Sequence, residues 1–223
     1  MKNPLLLAVF VIGLFLFLAF YFVSSALYRY RHKKSYHFYQ MFPYEFNYPA
    51  VFRENTYGNV LFIIATLAIM VFYILNPTEI VVYKTVTLII AIVFTMVLIC
   101  LTLMPLNYLK THIVLSVLTM TLSMSLPLFN FFVAFDQYKL EVEQINQALC
   151  IASMAVSSVL ACTMVVLILN PKLSFKIYLE KETDSFGNEV LKRPSVIFVA
   201  LNEWVAIFIY FLSPLGILLI NLI

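Results

Sequence analysis

The chain has 223 residues, of which 63 % are hydrophobic and 11 % charged. Soluble domains are roughly 45–50 % apolar and about 25 % charged, and a chain of this size hides only about 70–75 % of the surface it exposes when unfolded. These values and a mean hydropathy of +0.98 exclude water as the main solvent, while the net charge of +3 informs only through its distribution.

A membrane helix needs about 20 mostly apolar residues to cross the hydrocarbon layer. Six stretches qualify, at residues 5–27, 57–76, 80–104, 112–135, 145–170 and 195–223. In lipid each must be helical, because an isolated strand leaves its amides unsatisfied. The first is too long for the ~7–15-residue core of a secretory signal. Arg29, Arg31, Lys33 and Lys34 follow it and only Lys2 precedes it, the pattern of an uncleaved anchor.

Between the first and second spans, residues 28–56 mix five basic side chains with Tyr30, Tyr36, Phe38, Tyr39, Phe42, Tyr44, Phe46, Tyr48 and Phe52. Aromatic rings favour the headgroup layer and nearby Lys/Arg attract anionic lipid at about 1 kcal/mol each. The segment is therefore expected to lie on the membrane, with a docking or gating role as the sharper reading. Pro43 and Pro49 argue against one continuous helix there.

The second and fifth spans both close on Ile-Leu-Asn-Pro, at Ile74–Pro77 and Ile168–Pro171, a faint sign of an inverted repeat. The fourth carries Ser116, Thr119, Ser123, Ser125 and Asn130, and the fifth places Ser153, Ser157 and Ala161 at four-residue spacing. Such small-residue faces let helices approach closely. Pro127 and Pro214 interrupt the fourth and sixth spans, and broken helices can line solute sites.

Between the fifth and sixth spans, residues 176–182 and 189–193 read as two strands around a turn holding Asp184, Gly187 and Asn188. A lone hairpin is marginal in water, so it should rest on lipid, on the first loop or on a partner.

Eleven of the fourteen Lys and Arg fall in loops 28–56, 105–111 and 171–194; Lys2, Lys84 and Lys139 are the others. By the positive-inside rule those three loops are cytoplasmic. The expected fold is an all-α integral membrane protein, one polytopic domain over 1–223. Its six transmembrane helices run N-out/C-out, with a small cytoplasmic β-hairpin between helices 5 and 6, in the cell membrane and most naturally the plasma membrane.

Ionisable groups inside spans are costly and mark function. Glu203 is the one acidic candidate, intramembrane if the last helix starts near Ser195 and interfacial if it starts at Trp204. The candidate polar intramembrane site is Glu203, Asn202, Ser123, Ser125, Asn130 and Ser213. The candidate headgroup or docking residues are Arg29, Arg31, Lys33, Lys34, Lys192 and Arg193. His112 begins the fourth span and reads as a solvated interfacial residue. Cys100, Cys150 and Cys162 sit in apolar runs without metal or disulfide spacing.

No GxSxG, HExxH or P-loop pattern occurs, and no Asp lies inside a span. No catalytic residue, cofactor or metal is assigned. The expected partners are the bilayer and a membrane protein or a second copy of the chain, with no nucleic acid. Three readings of function follow. The first is a non-catalytic membrane subunit acting through partner contacts. The second is a small-solute transporter or permease component. The third is a lipid-acting membrane enzyme using Glu203 or His112.

Overall fold

The structure, a computed structural model, describes residues 4–47, 53–76, 81–103, 109–173, 180–183 and 189–222. Its helices are α1 (Pro4–His32), α2 (Thr56–Leu75), α3 (Val81–Leu103), α4 (Leu109–Leu140), α5 (Gln144–Ile168), α6 (Phe198–Leu212) and α7 (Pro214–Ile220). Together, α6 and α7 make one crossing, so six helical segments are long and apolar enough to span a membrane among the described residues. The chain is a multi-pass membrane protein on that ground.

Helix ends follow local chemistry. Past residue 27, α1 continues to His32, where Arg29, Arg31 and His32 face the negative end of the helix dipole. Lys33 then takes a left-handed conformation, φ 55°, and its N–H caps the carbonyl of Arg29 at 3.0 Å. The 32 residues of α4 give it a length of about 48 Å, beyond the ~30 Å hydrocarbon layer. Its last turn therefore projects outward, with Lys139 3.0 Å from Asp136, and the expected loop from residue 136 is helical as far as Leu140.

The two prolines behave differently. Pro127 stays inside α4, whereas Pro214 starts α7 and breaks the sixth crossing at Ser213. Asn130 donates to the Ser213 carbonyl at 2.9 Å and to the Tyr73 hydroxyl at 3.1 Å, so one side chain ties both proline regions together.

The sixth crossing is the centre of the bundle. Two thirds (67 %) of its apolar window is buried, against 17 % for α5. Phe211 stacks on Phe17 of α1 with ring centroids 4.2 Å apart, and Phe20 meets Phe62 of α2 at 4.8 Å. A second core joins Met120 of α4, Met164 of α5 and Ala206 and Ile209 of α6. Lipid tails are as apolar as these side chains, so shape and ring geometry hold the helices together rather than escape from water.

Small residues permit the closest approaches. Ser153 of α5 donates to the Gly216 carbonyl of α7 at 2.7 Å, so the small-residue face of α5 is a packing face. Strands β1 (Glu180–Thr183) and β2 (Glu189–Lys192) pair antiparallel, with Glu180 opposite Lys192 and Thr183 opposite Glu189. The turn expected at 184–188 lies outside the described residues.

Gly58 is the tightest point. A Cβ there would collide with the Ser24 hydroxyl and the Asn55 amide, which are locked to each other by a 2.9 Å hydrogen bond. At Gly13 the obstacle is only the flexible tip of Ile69, 2.9 Å away. Gly58→Ala should cost about 1–3 kcal/mol by overpacking. Gly13→Ala should stay within about 1 kcal/mol of wild type, since Ala gains helix propensity. Thermal melts in detergent check this; a larger loss at Gly13 would refute the packing argument.

Candidate functional site

Three consecutive residues of α6, Asn202, Glu203 and Trp204, are all fully buried. Successive helical side chains point about 100° apart, so three polar neighbours in a row need protein on three sides. The central position of α6 supplies it. Asn202 donates to the Leu167 carbonyl of α5 at 3.3 Å, Glu203 faces α4, and Trp204 faces the segment after α1.

On α4, His112, Ser116, Thr119 and Ser123 recur at spacings of four, three and four and are all buried. His112 Nε2 lies 3.1 Å from Glu203 Oε1, an ion-pair distance off the line of a good hydrogen bond. The Ser116 hydroxyl donates to the same Oε1 and also lies 2.9 Å from the His112 carbonyl of its own helix. Glu203 Oε2, both His112 ring nitrogens, Thr119 Oγ1 and Asn202 Oδ1 have no hydrogen-bond partner among the described residues. Buried polar atoms are nearly always partnered, so these open ones on α4 and α6 mark hydrogen-bonding capacity left over beside the Glu203–His112 contact.

A lid made by the first loop covers the site. Tyr36 anchors it: its hydroxyl donates to the Phe42 carbonyl at 2.8 Å and accepts from Trp204 Nε1 at 3.0 Å. Trp204 Nε1 also reaches the Met41 carbonyl at 3.0 Å. A short 3-10 turn, Pro43–Asn47, follows. Phe42 and Tyr44 set their rings edge-to-face on His112, with centroids 5.7 and 5.0 Å away. Asn47 donates to the Thr102 carbonyl of α3 at 2.9 Å, and Asn59 donates to Asn47 Oδ1 at 2.7 Å.

The strand segment clasps the lid from outside. Arg193, one residue past β2, sets one guanidinium nitrogen 2.9 and 3.0 Å from the two Glu45 oxygens. Gln40 donates to the Ser195 carbonyl at 2.9 Å, and Ile197 N–H donates to the Tyr39 carbonyl at 2.8 Å. Burial pushes the Glu45 carboxyl above its ordinary value, partly opposed by Arg193 and by the Phe42 N–H. Burial likewise raises the Tyr36 and Tyr44 phenols, which stay protonated and able to donate.

The structure divides the residues singled out from sequence. Glu203 lies within α6 and fully buried; Trp204 is a core residue, not a headgroup belt. His112, expected in solvent, is buried beside Glu203. Asn130 and Ser213 join Tyr73 near the proline break, ten residues or about 15 Å along α6 from Glu203. Ser123 and Ser125 bond carbonyls of their own helix at Met120 and Thr121. The six candidates therefore do not form one site.

Among the basic candidates, Arg31 pairs with Glu54 at 2.9 Å, Lys33 sits 4.9 Å from the Tyr30 ring, and Arg193 holds Glu45. Arg29 and Lys34 are exposed, and the Lys192 side chain lies outside what is described. Tyr36, Phe42, Tyr44 and Phe46, expected on the membrane surface, are buried in the lid instead. Sequence reasoning did not bring His112, Ser116 and Glu45 together; for His112 and Ser116 the signal was a polar face on α4 repeating on the helical period, and Glu45, in the Pro43–Asn47 turn, carried none.

Ser116 serves the carboxylate, so no serine–imidazole nucleophile pair is formed. Among the described residues no three His, Cys, Asp or Glu side chains converge. Comparison with models of known families, with curated proteins and with solved structures finds no match for this chain.

The Glu45 shift has a sign. Because its native pKa is raised, the folded protein holds this proton more tightly than the unfolded chain, whose carboxylate titrates near ~4.3. The stability it contributes is present at low pH and lost as pH rises through the raised value. The melting temperature of wild type minus that of Glu45→Gln should therefore fall between about pH 4 and about pH 7. A rise over that range would mean that attraction to Arg193 outweighs burial.

Proposed function

We propose that the protein is a carrier for a small polar solute, bound at Glu203 and His112 beneath the lid. The observation that carries the reading is Glu203 itself, fully buried among apolar helices with one oxygen unpartnered. Burying a carboxylate costs several kcal/mol unless it is well compensated. Helix packing alone gains nothing from that cost, because small residues and aromatic rings already pack α6. A site that exchanges ligands requires open hydrogen-bonding capacity in its empty form.

The loops weigh in the same direction. The two docking-like loops, one of three features favouring a partner-binding subunit beside the apolar spans and the small-residue faces, bind each other through residues 36–47 and 193–197. A lipid-acting enzyme lacks a nucleophile paired with a base at this site. In the proposed cycle, release of the Glu45–Arg193 clasp lifts Phe42 and Tyr44 from His112 and opens the site on one side. The break at Pro214, held by Asn130, gives the far half of the sixth crossing its hinge.

We place the lid in the cytoplasm, with both termini outside and the protein in the cell membrane, because eleven of fourteen basic residues lie in the loops on the lid side. Reporter fusions test this. A cytoplasm-active reporter inserted after Asn188 should be active and a periplasm-active one silent; the reverse pattern inverts the topology.

Transport is tested in liposomes by light scattering, with glucose, glycine, ethylammonium chloride and potassium acetate offered one at a time. At least one should cross faster than in protein-free liposomes, and Glu203→Gln should slow that flux about tenfold or more at equal insertion, a loss of ~1.4 kcal/mol. If none crosses faster in the wild-type protein, the carrier reading fails.

A further inference from the structure

The outer face of α1 and α2 carries a pattern of its own, away from the buried Glu203–His112 contact. On α1, Phe15, Leu18, Phe22 and Ala26 are exposed and recur at spacings of three, four and four. Arg29 and Lys33 continue the series and are exposed too. On α2, Val60, Ile64 and Leu67 are exposed at spacings of four and three, and Tyr57 and Arg53 extend that series back past the start of the helix. Each apolar strip faces lipid and ends in basic side chains.

The two strips lie side by side. Phe20 of α1 meets Phe62 of α2, and Asn55 donates to Ser24 at 2.9 Å. Arg31 and Glu54, 2.9 Å apart, tie the end of α1 to the start of α2, with Arg53 next in the chain to Glu54. The Lys33 N–H lies 3.0 Å from the Arg29 carbonyl. The basic ends of both strips therefore share one region of the surface.

Their height suits a headgroup. Counting about 20 residues from Leu5 puts the hydrocarbon edge near residue 25. Arg29 and Lys33 stand one to two turns beyond it. Tyr30 and Tyr57 are exposed at the same level, where aromatic rings favour the headgroup layer.

Charge is left over there. Arg31 is taken up by Glu54, but among the described residues Arg29, Lys33, Lys34 and Arg53 form no ion pair. At the opposite end of the bundle, Lys139 is paired with Asp136. Basic residues at this height attract anionic lipid.

We propose that the α1–α2 face at the lid end binds anionic phospholipid, with headgroups drawn to Arg29, Lys33 and Arg53 and tails lying along the Phe22 and Val60 strips. A soluble phosphate would use the charges and leave the strips idle. A second copy docked here about a two-fold axis would set the same basic residues against each other. The face is independent of the carrier reading, which concerns the interior of the bundle.

The experiment offers the full-length protein, in a nonionic detergent, equal amounts of phosphatidylglycerol and phosphatidylcholine with identical acyl chains. Native mass spectrometry counts the lipids retained. Wild type should keep phosphatidylglycerol in at least about fivefold excess, the effect of one basic residue at a charged lipid. The triple variant Arg29→Gln, Lys33→Gln, Arg53→Gln should lose that preference. Lys110→Gln, which removes an exposed charge at the same end but on α4, should keep it. Equal retention of both lipids by wild type overturns the proposal, and so does an unchanged preference in the triple variant. Two further results overturn it by naming another occupant. One is displacement of the lipid by inorganic phosphate but not by chloride of equal ionic strength. The other is a wild-type dimer that the triple variant abolishes. The wild-type comparison decides without any variant, and if the triple variant does not fold, Arg29→Gln and Lys33→Gln singly should each lower the preference about fivefold.

Discussion

Inside a bilayer a polar group has no water to turn to, and that constraint shapes the whole molecule. Every polar side chain on a span must find protein or remain open. The central place of the sixth crossing follows, because it carries Asn202, Glu203 and Trp204 in a row and later Ser213 beside a proline. Placed at the rim, at least one of the first three would face lipid. Placed at the centre, Asn202 reaches α5, Glu203 reaches α4, and Trp204 reaches the lid. The helices least buried in the bundle include α1 and α5, which take the rim, where Phe15, Phe22, Val159 and Val166 are exposed.

The lid is the second consequence. A carboxylate within the first two turns of α6 would be open to water if the bundle ended there. The chain closes that end with its own first loop, whose aromatic residues do inside the protein what aromatic residues otherwise do at headgroups. Tyr36 stacks on Phe46 at 3.9 Å and accepts the Trp204 N–H, so the lid is tied to the residue next to Glu203. Arg193 and Glu45 fasten it from the outer side, where the arginine is still 43 % exposed. An ion pair reached by water is weaker than a buried one, so this fastening holds the lid less firmly than a buried pair would.

Much of the fold was legible because hydropathy and length decide it. The six spans fall where the apolar runs fall, and the helix ends shift by only a few residues. The depth of Glu203 was legible only as a choice between two helix starts, and α6 begins at Phe198, between them. His112 was misjudged because closeness to a span's end was equated with contact with water. The lid cancels that equation, and nothing in the order of residues 36–47 states that they fold inward. Ser123, Ser125, Asn130 and Ser213 were grouped with Glu203 as polar residues near helix breaks. Ser213 lies ten residues along the crossing from Glu203, farther than a side chain can bridge, and Ser123 and Ser125 bond carbonyls of their own helix. Asn130 bonds the Ser213 carbonyl next to Pro214.

The contrast between the two polar centres bears on function. Around Pro214 the donors are directed at carbonyls: Asn130 to Ser213, Tyr210 to Thr66, and the Ser213 hydroxyl to Ile209. These bonds tie α2 and α4 to the last crossing beside the proline, and a neutral amide or hydroxyl suffices for each. Around Glu203 no backbone needs repair, since α6 and α4 are continuous there. Ser116 could satisfy its hydroxyl on its own helix, as Thr87 and Thr163 do on theirs. A carboxylate and an imidazole are far more than packing demands, and a glutamine could bridge the same helices without a charge to bury. What a glutamine lacks is a charge that can be met by different partners in turn. That difference is the ground for proposing the ligand site at the Glu203 end rather than at the Asn130 end.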